Sequence, residues 1–144
     1  MPQRSVRSII ESQTIVTAPA DATVADAARL MQRHRVGALL VVEGERLTGI
    51  FTERDALFRV IAEGRDPQAT LIGEVMTRDP QTIAADRPFG HALHLMFEGG
   101  FRHVPVIENG QPVGVVSSRD ALGSDLREFV SDLDTREHIG EILG

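Results

Sequence analysis

The chain of 144 residues repeats itself with a period of 65 residues, and this duplication limits the fold more than any other feature. When residues 20–57 are compared without gaps with residues 85–122, 12 of 38 positions are identical. The identities fall on apolar positions and on one short polar motif. A repeat of this length is a supersecondary unit that buries its apolar face against a neighbour, so the sequence predicts two similar units packed together.

Each copy has the element order β-α-β-β-α. Apolar residues spaced at i, i+3, i+4 and i+7 predict a helix with one buried face after Asp21 and again after Asp86. A nearly continuous apolar run then predicts a buried strand, and a turn leads to a second strand. The fold class is therefore α/β, in the broad α+β sense. In the first copy, the predicted elements are a short strand near 15–17, strands at 38–42 and 47–51, and a second helix from residue 52. In the second copy, they are a short strand near 82–83, strands at 103–107 and 113–116, and a second helix from residue 117.

The predicted domain boundaries follow the repeat. Gly64 and Pro67 mark a linker, because both residues end helices. Beyond the second copy, apolar residues recur at helical spacing among many charges, which predicts an amphipathic helix that covers the repeats or contacts a partner. The boundaries are 1–66 for the first repeat with its N-terminal segment, 67–130 for the second repeat, 62–73 for the linker and 131–144 for the helical tail.

Composition excludes several classes of function. Lys and Arg number 15 against 21 Asp and Glu, a net charge of -6 that disfavours nucleic acid as a partner. No apolar run approaches the ~20 residues that a membrane span needs, so no membrane partner is expected. The chain has no Cys, which excludes disulfides and thiolate nucleophiles. Because the N-terminus also lacks a signal-peptide core, we expect a cytoplasmic location.

A polar motif recurs where a strand turns into a helix. Both copies contain Gly-x-x-(Thr/Ser)-x-Arg-Asp, at residues 49–55 and 114–120. The first backbone N–H groups of a helix have no partner within the helix and attract anions. The Arg adds a planar positive charge, and the Asp can accept two hydrogen bonds from a ribose diol. The motif therefore predicts an adenosine-type nucleotide site at each corner.

A structural explanation of the same motif stays open. Thr-x-x-Asp and Ser-x-x-Asp also match the capping box, in which the carboxylate bonds back to the N–H of the cap residue. Capping would account for Thr52, Ser117, Asp55 and Asp120. It would not account for the Arg beside each Asp, or for the Gly at a fixed distance before it.

The duplicated unit resembles a tandem pair of CBS domains, named after cystathionine β-synthase and also called a Bateman module. The resemblance lies in Val-Gly-Ala-Leu-Leu-Val-Val at 36–42, in Arg-His-Val-Pro-Val-Ile at 102–107, and in the two corner motifs. It implies two repeats packed around a pseudo-two-fold axis, with an adenosyl ligand between them. Such ligands are AMP, ADP, ATP, S-adenosylmethionine, NAD-type cofactors and cyclic dinucleotides. It also implies a homodimer and regulation rather than catalysis, with an adenine nucleotide as regulatory ligand and no required cofactor.

The resemblance further assigns site residues to each repeat. It implies that Asp55 and Asp120 hold ribose hydroxyls in two separate sites. Because the second copy carries Arg102 and His103 where the first is uncharged, we expect the Asp120 site to bind anions better. The other implied residues are Thr52, Ser117, Arg54 and Arg119 near the ribose or phosphates; Val36, Gly37, Ala38, Arg102, His103, Val104 and Pro105 around the base; and Thr17, Ala18, Ala20, Thr82, Ile83 and Ala85 along the base edge.

The sequence thus predicts a non-enzymatic module that senses an adenosyl nucleotide and signals to an effector protein. The sequence does not identify this effector. The alternative is a structural dimerisation scaffold with vestigial sites. No catalytic residues are expected, because the chain has no nucleophile elbow and no phosphate-loop signature. His91 and His94 lie three residues apart on a predicted helix, but its apolar stripe directs both towards solvent, and we expect no metal site.

Overall fold

The computed structural model describes the backbone of residues 4–143 and the side chains of residues 4–135. Residues 1–3 and 144, at the ends of the predicted first repeat and helical tail, lie outside the described residues. The helices are α1 (Val6–Ile10), α2 (Val24–His34), α3 (Glu53–Asp55), which continues as a π-helical segment (Ala56–Ile61), α4 (Ile72–Val75), α5 (Phe89–Gly99) and α6 (Gly123–Leu143); a 3-10 turn (Ser118–Asp120) precedes α6. The strands are β1 (Thr17–Ala18), β2 (Ala38–Glu43), β3 (Arg46–Thr52), β4 (Thr77–Arg78), β5 (Ile83–Ala84), β6 (His103–Glu108) and β7 (Gln111–Ser117).

The strands form two sheets, one for each repeat. The first has the order β1-β2-β3-β4 and the second has the order β5-β6-β7. In each sheet a short parallel strand precedes an antiparallel hairpin, and equivalent residues pair: Ala38 lies opposite Thr52, and His103 lies opposite Ser117. The predicted α+β class and the repeated strand order are confirmed. Within residues 4–143, none of the helices combines the length and apolar character that crossing a bilayer requires.

Each repeat has its own apolar core, and a short helix from another part of the chain completes it. The first core includes Ile72 and Val75 of α4, and the second includes Val6 and Ile10 of α1. A four- or five-residue helix cannot bury its own apolar side chains, so each docks on the nearest open sheet face. The division drawn from the sequence at residues 66 and 67 follows chain order, whereas the packing does not. The segment before the first repeat packs on the second repeat, and the segment before the second repeat packs on the first.

The glycine of each corner motif allows this exchange. A Cβ atom at Gly49 would lie 2.4 Å from Met76 Sδ and 2.9 Å from the Thr77 carbonyl oxygen. A Cβ atom at Gly114, the equivalent position, would lie 2.8 Å from Ile10 Cβ. Both approaches are closer than packed carbon atoms allow. The recurrent glycine is therefore explained by close packing of the exchanged segment rather than by ligand chemistry.

The outer edges of β3 and β7 are paired in different ways. On β3, Ile50 pairs with Thr77 of β4. On β7, the equivalent Val115 pairs with the side chain of Gln13, whose Nε2 donates to the Val115 carbonyl at 2.8 Å and whose Oε1 accepts from the Val115 N–H at 3.1 Å. A single amide side chain thus satisfies the polar backbone groups of Val115, as a strand would.

The two sheets meet along β3 and β7. Ala38, Leu40 and Ile50 form a buried cluster, against which Leu47 and Val115 pack. Between the hairpin turns, Gln111 Nε2 donates to Glu45 Oε2 at 2.6 Å. The packing of β3 against β7 places one repeat relative to the other and so determines which residues share a cleft.

Helix α6 is longer than the predicted tail and continues directly from the second repeat. The Phe129 ring packs against the second core, 4.8 Å from the His94 ring and 5.7 Å from the Phe97 ring, measured between centroids. Leu126 and Val130 lie on the exposed side of the helix. The helix therefore covers part of the second repeat and also presents apolar side chains to solvent.

Candidate functional site

Both motif carboxylates take part in capping. Asp55 Oδ2 accepts from the Thr52 N–H at 3.0 Å, and Thr52 Oγ1 accepts from the Asp55 N–H at 3.2 Å. Asp120 Oδ2 accepts from the Ser117 N–H at 2.7 Å and from its hydroxyl at 3.4 Å. The capping explanation left open by the sequence therefore accounts for one oxygen of each carboxylate.

The second oxygen distinguishes the two corners. Asp55 is 7% exposed, and its Oδ1 lies 3.6 Å from Arg59 Nε. Asp120 is partly exposed, and among the described residues its Oδ1 has no hydrogen-bond or ion-pair partner. Only the Asp120 corner keeps a carboxylate oxygen available to a ligand.

The expected helix N-terminus is missing at the Asp120 corner. Ser118–Asp120 is a single 3-10 turn, Ala121 is extended with ψ 128°, and α6 begins only at Gly123. The second helix predicted from residue 117 is therefore wrong, because the extended backbone at Ala121 ends the 3-10 turn before α6 begins. The Ser118 N–H also donates to the Arg102 carbonyl at 3.1 Å. That N–H group is already bonded, so an anion at this corner depends chiefly on charged side chains.

A cleft of about 460 Å³ opens beside Asp120, and residues of both repeats line it. Its volume lies within the range of ~300–1,000 Å³ that is typical of small-molecule sites. The first repeat and the segment before it contribute an apolar wall and four polar residues, and the second repeat contributes four polar residues. The lining residues are Gln13, Thr14, Ile15, Val16, His34, Arg35, Val36, Gly37, Ala38, His103, Val115, Ser117, Arg119 and Asp120.

The cleft combines predicted residues that the sequence had assigned to separate sites. Val36, Gly37 and Ala38, expected beside Asp55, lie here with Asp120. His103, Ser117 and Arg119 also line it. The following predicted residues lie outside the lining: Thr17, Ala18, Ala20, Thr52, Arg54, Asp55, Thr82, Ile83, Ala85, Arg102, Val104 and Pro105.

Some of the residues outside the cleft have clear structural roles. Ala18 and Ile83 belong to the apolar cores, and Pro105 is fully buried. Arg54, the counterpart of Arg119, donates from Nη1 to the Gly100 carbonyl at 3.3 Å and lies over the Phe58 ring. At this corner the arginine is bonded across to the other repeat.

Sequence comparison within a repeat missed the part of the cleft that comes from the leading segment and from the end of α2. Thr14, Ile15 and Val16 precede β1, and His34 and Arg35 end α2. They meet Asp120 only because the two sheets pack along β3 and β7. One signal was present in the repeat alignment: Arg35 is equivalent to Gly100, so a charged residue stands where the other copy has none.

The cleft is rich in cationic and titratable side chains. Arg35 and Arg119 line it with His34 and His103, and Asp120 is the one carboxylate among its lining residues. Burial lowers the pKa of His103 from its ordinary value of 6.5, the Glu53 carboxylate and Asp120 raise it, and Arg119 and Arg102 lower it further. His103 therefore stays mainly neutral at pH 7, although it can take up a proton when another anion approaches.

Glu53 reaches this region because Gly37 has no side chain. A Cβ atom at Gly37 would lie 3.1 Å from Glu53 Oε1, and the Glu53 N–H donates to the Gly37 carbonyl at 2.9 Å. The carboxylate of one repeat thus lies near the imidazole of the other.

The expectation that both His91 and His94 face solvent is wrong for His94. His91 is exposed, but the His94 side chain is 14% exposed because α6 covers it. His94 Nε2 lies 3.6 Å from Asp132 Oδ2, and its buried Nδ1 has no hydrogen-bond partner among the described residues. No group of three or more His, Asp and Glu side chains in the described part of the chain is placed to hold a metal ion.

Sequence comparison identifies the repeats. The family model of the CBS domain matches residues 6–62 and again residues 72–127. Among curated proteins, the CBS domain-containing protein CBSCBSPB3 of Arabidopsis thaliana is 41% identical over 121 residues, which cover 83% of this chain and 22% of that protein. The chain thus spans less than a quarter of the length of this relative.

Solved structures share the arrangement of two packed repeats. CBS domain protein PAE2072 from Pyrobaculum aerophilum, complexed with AMP, has a TM-score of 0.79 at 25% identity, with 89% of this chain and 99% of that chain covered. The CBS domain pair of protein MJ0100, in complex with 5′-methylthioadenosine and S-adenosyl-L-methionine, has a TM-score of 0.74 at 27% identity, with 94% and 99% covered.

Proposed function

The chain belongs to the CBS-domain family, and on this premise we propose that it is a regulatory module that binds an adenine nucleotide in the cleft between its repeats. One observation carries the proposal. The cleft of about 460 Å³ is lined by Asp120, whose Oδ1 is not used in capping, by Arg119 and by the apolar wall at Val36–Ala38. These groups match a ribose diol, a phosphate and an adenine base respectively.

Relatives of similar structure support this class of ligand. PAE2072 is complexed with AMP, and MJ0100 is complexed with 5′-methylthioadenosine and S-adenosyl-L-methionine. All three compounds contain adenosine, so the shared requirement is a base pocket and a partner for the ribose. The cleft beside Asp120 offers both.

We expect occupancy at the Asp120 corner and not at the Asp55 corner. Asp55 is buried and its two oxygens face Thr52 and Arg59, whereas Arg54 is bonded to the Gly100 carbonyl. A ligand there would have to break these contacts before it could bind. At the Asp120 corner the carboxylate oxygen and the arginine are free of such contacts.

A regulatory role also requires a surface that transmits the bound state. Leu57 and Ile61 on the π-helical segment are exposed, and so are Leu122 and Leu126 at the equivalent positions beside and on α6. Paired apolar faces related by the repeat fit a symmetric contact with a second copy of the chain. We propose a homodimer through these faces, with ligand binding changing the angle between repeats that an effector protein senses.

Thermal unfolding with a panel of ligands tests the proposal. AMP, ADP, ATP, NAD, S-adenosylmethionine and a cyclic dinucleotide would each be added to the full chain, followed by calorimetric titration of those that stabilise it. A true ligand at 100 times its Kd raises the free energy of unfolding by about 2.7 kcal/mol. No shift with any of the six would contradict nucleotide sensing and favour the scaffold alternative.

The non-enzymatic character is tested on the same samples. We expect each ligand to be recovered unchanged by liquid chromatography after prolonged incubation with the protein. Conversion of a ligand that depends on Asp120 would contradict a purely regulatory role.

A further inference from the structure

Arg35 has a backbone conformation that a glycine would adopt more easily. It ends α2 in the left-handed region, with φ 55° and ψ 45°, and its N–H bonds to carbonyls of the preceding turn. Its equivalent in the second repeat is Gly100, with φ 73°. Glycine adopts this conformation without a steric penalty, whereas a residue with a Cβ atom adopts it at a cost in free energy. The turn itself therefore does not explain an arginine at position 35.

Arg35 lines the same cleft as Asp120. Arg119, from the other repeat, lines the same cleft. Among the described residues, neither guanidinium forms a hydrogen bond or an ion pair with the protein. A residue held in an unfavourable conformation beside a binding site indicates a role for its side chain there.

The cleft has more arginine side chains than one phosphate needs. The whole chain has a net charge of -6, yet Arg35 and Arg119 both line this cleft; Asp120 is the one carboxylate in the lining, and the Glu53 carboxylate lies beside Gly37. One oxygen of that carboxylate already accepts the capping hydrogen bonds from Ser117. One arginine suffices to hold a monophosphate in a bidentate contact. The second arginine is left to meet a further phosphate.

We propose that the cleft selects adenine nucleotides with two or three phosphates over AMP, and over uncharged or cationic adenosyl compounds, through Arg35 and Arg119 acting from opposite repeats. This inference rests on the proposed nucleotide-binding function. Arg119 lies next to Asp120 and binds the phosphate nearest the ribose. Arg35 lies at the end of α2 and binds the outer phosphates.

Calorimetric titration of adenosine, AMP, ADP and ATP at fixed ionic strength, without Mg²⁺, tests the selectivity. The wild-type chain should bind ADP and ATP about 10-fold or more tightly than AMP, because an additional charge-assisted contact is formed. The Arg35→Gly variant should lose about 10-fold in ATP affinity and stay within about two-fold for AMP. Because glycine suits this backbone, as at Gly100, the variant should keep or raise its melting temperature.

Arg33→Ala provides the charge control. Arg33 is exposed on the same helix and does not line the cleft, so this variant should leave both affinities unchanged. Equal affinities of the wild-type chain for AMP and ATP, or equal losses for both in Arg35→Gly, would overturn the selectivity while leaving nucleotide binding intact. Failure of all four ligands to bind would overturn the proposed function itself.

Discussion

Asp55 and Asp120 occupy the same position in the two repeats, yet only Asp120 lies on the cleft, while Asp55 is buried against Arg59. Substitution by Ala should therefore act mainly on ligand affinity at Asp120 and mainly on stability at Asp55. We expect Asp120→Ala to weaken nucleotide binding by about 10-fold or more and to cost about 1 kcal/mol of stability through the lost cap. Asp55→Ala should cost about 2 kcal/mol, because it removes the acceptor of the part-buried Thr52 N–H and the buried carboxylate that faces Arg59, and should change affinity little.

Calorimetry and thermal unfolding of both variants measure these two effects separately. Asp120→Asn is the control for the loss of the cap, because its amide oxygen can still accept the capping hydrogen bond from Ser117. A greater loss of affinity in Asp55→Ala than in Asp120→Ala would show that the occupied corner is the other one.

The pH dependence should follow His103. Its pKa is lowered in the folded protein, so below pH 6.5 the unfolded chain takes up a proton that the folded chain resists. Stability without ligand should therefore fall as the pH drops from 6.5 towards the lowered value. A bound phosphate raises the pKa of His103, so nucleotide binding should take up a proton and become tighter over the same interval.

Titration in two buffers of different ionisation enthalpy gives the number of protons taken up. The phosphate of the ligand also titrates near pH 6, so the relevant quantity is the difference between the wild-type chain and His103→Gln. If the two proteins take up equal numbers of protons, His103 is not linked to binding.

The glycines of the two motifs should be required for stability. In Gly49→Ala the new methyl group would lie against Met76 Sδ and the Thr77 carbonyl, and in Gly114→Ala it would lie against Ile10. Overpacking of this kind costs about 1–3 kcal/mol, which lowers the melting temperature by about 2–4 °C for each kcal/mol. Thermal unfolding checks this, with Gly44→Ala as a comparison in which a methyl group meets no atom within 4 Å but φ is 64°.

The comparison separates steric contact from backbone conformation. Gly44→Ala should cost about 1–2 kcal/mol through its left-handed conformation alone. Full stability of Gly49→Ala and Gly114→Ala would mean that the exchanged segments do not approach the sheets as closely as the structure indicates.

The exposed apolar faces give a test of oligomeric state. Combined Leu57→Lys and Leu122→Lys substitutions should convert a dimer to a monomer, because each places a charge in the proposed interface. Light scattering coupled to size-exclusion chromatography measures the mass. Leu71→Lys, at an exposed leucine beside Glu74, is the control and should leave the mass unchanged. A wild-type chain that is monomeric at all concentrations would contradict the homodimer.

More of the fold than of the site could be predicted from the sequence. The repeat revealed the strand order and the family, since both depend on patterns within one unit, and both are confirmed. The exchange of α1 and α4 was not apparent, because two short apolar segments carry no signal for the sheet they join. That Arg35 and Asp120 line one cleft depends on how Ile50 and Val115 bring the sheets together, a contact between residues far apart along the chain. The 3-10 turn after Ser117 was missed because its sequence matches that of the helical corner in the first repeat.

The crossing of α1 and α4 has a consequence for any attempt to divide the protein. Cleavage between residues 66 and 67 would produce fragments that each lack the peptide that seals their own hydrophobic interior. Neither fragment should fold by itself, and nucleotide binding should return only by complementation when both are mixed. A single ancestral repeat would have the same requirement. It would meet it by forming a two-chain assembly, in which each chain donates its leading helix to the other.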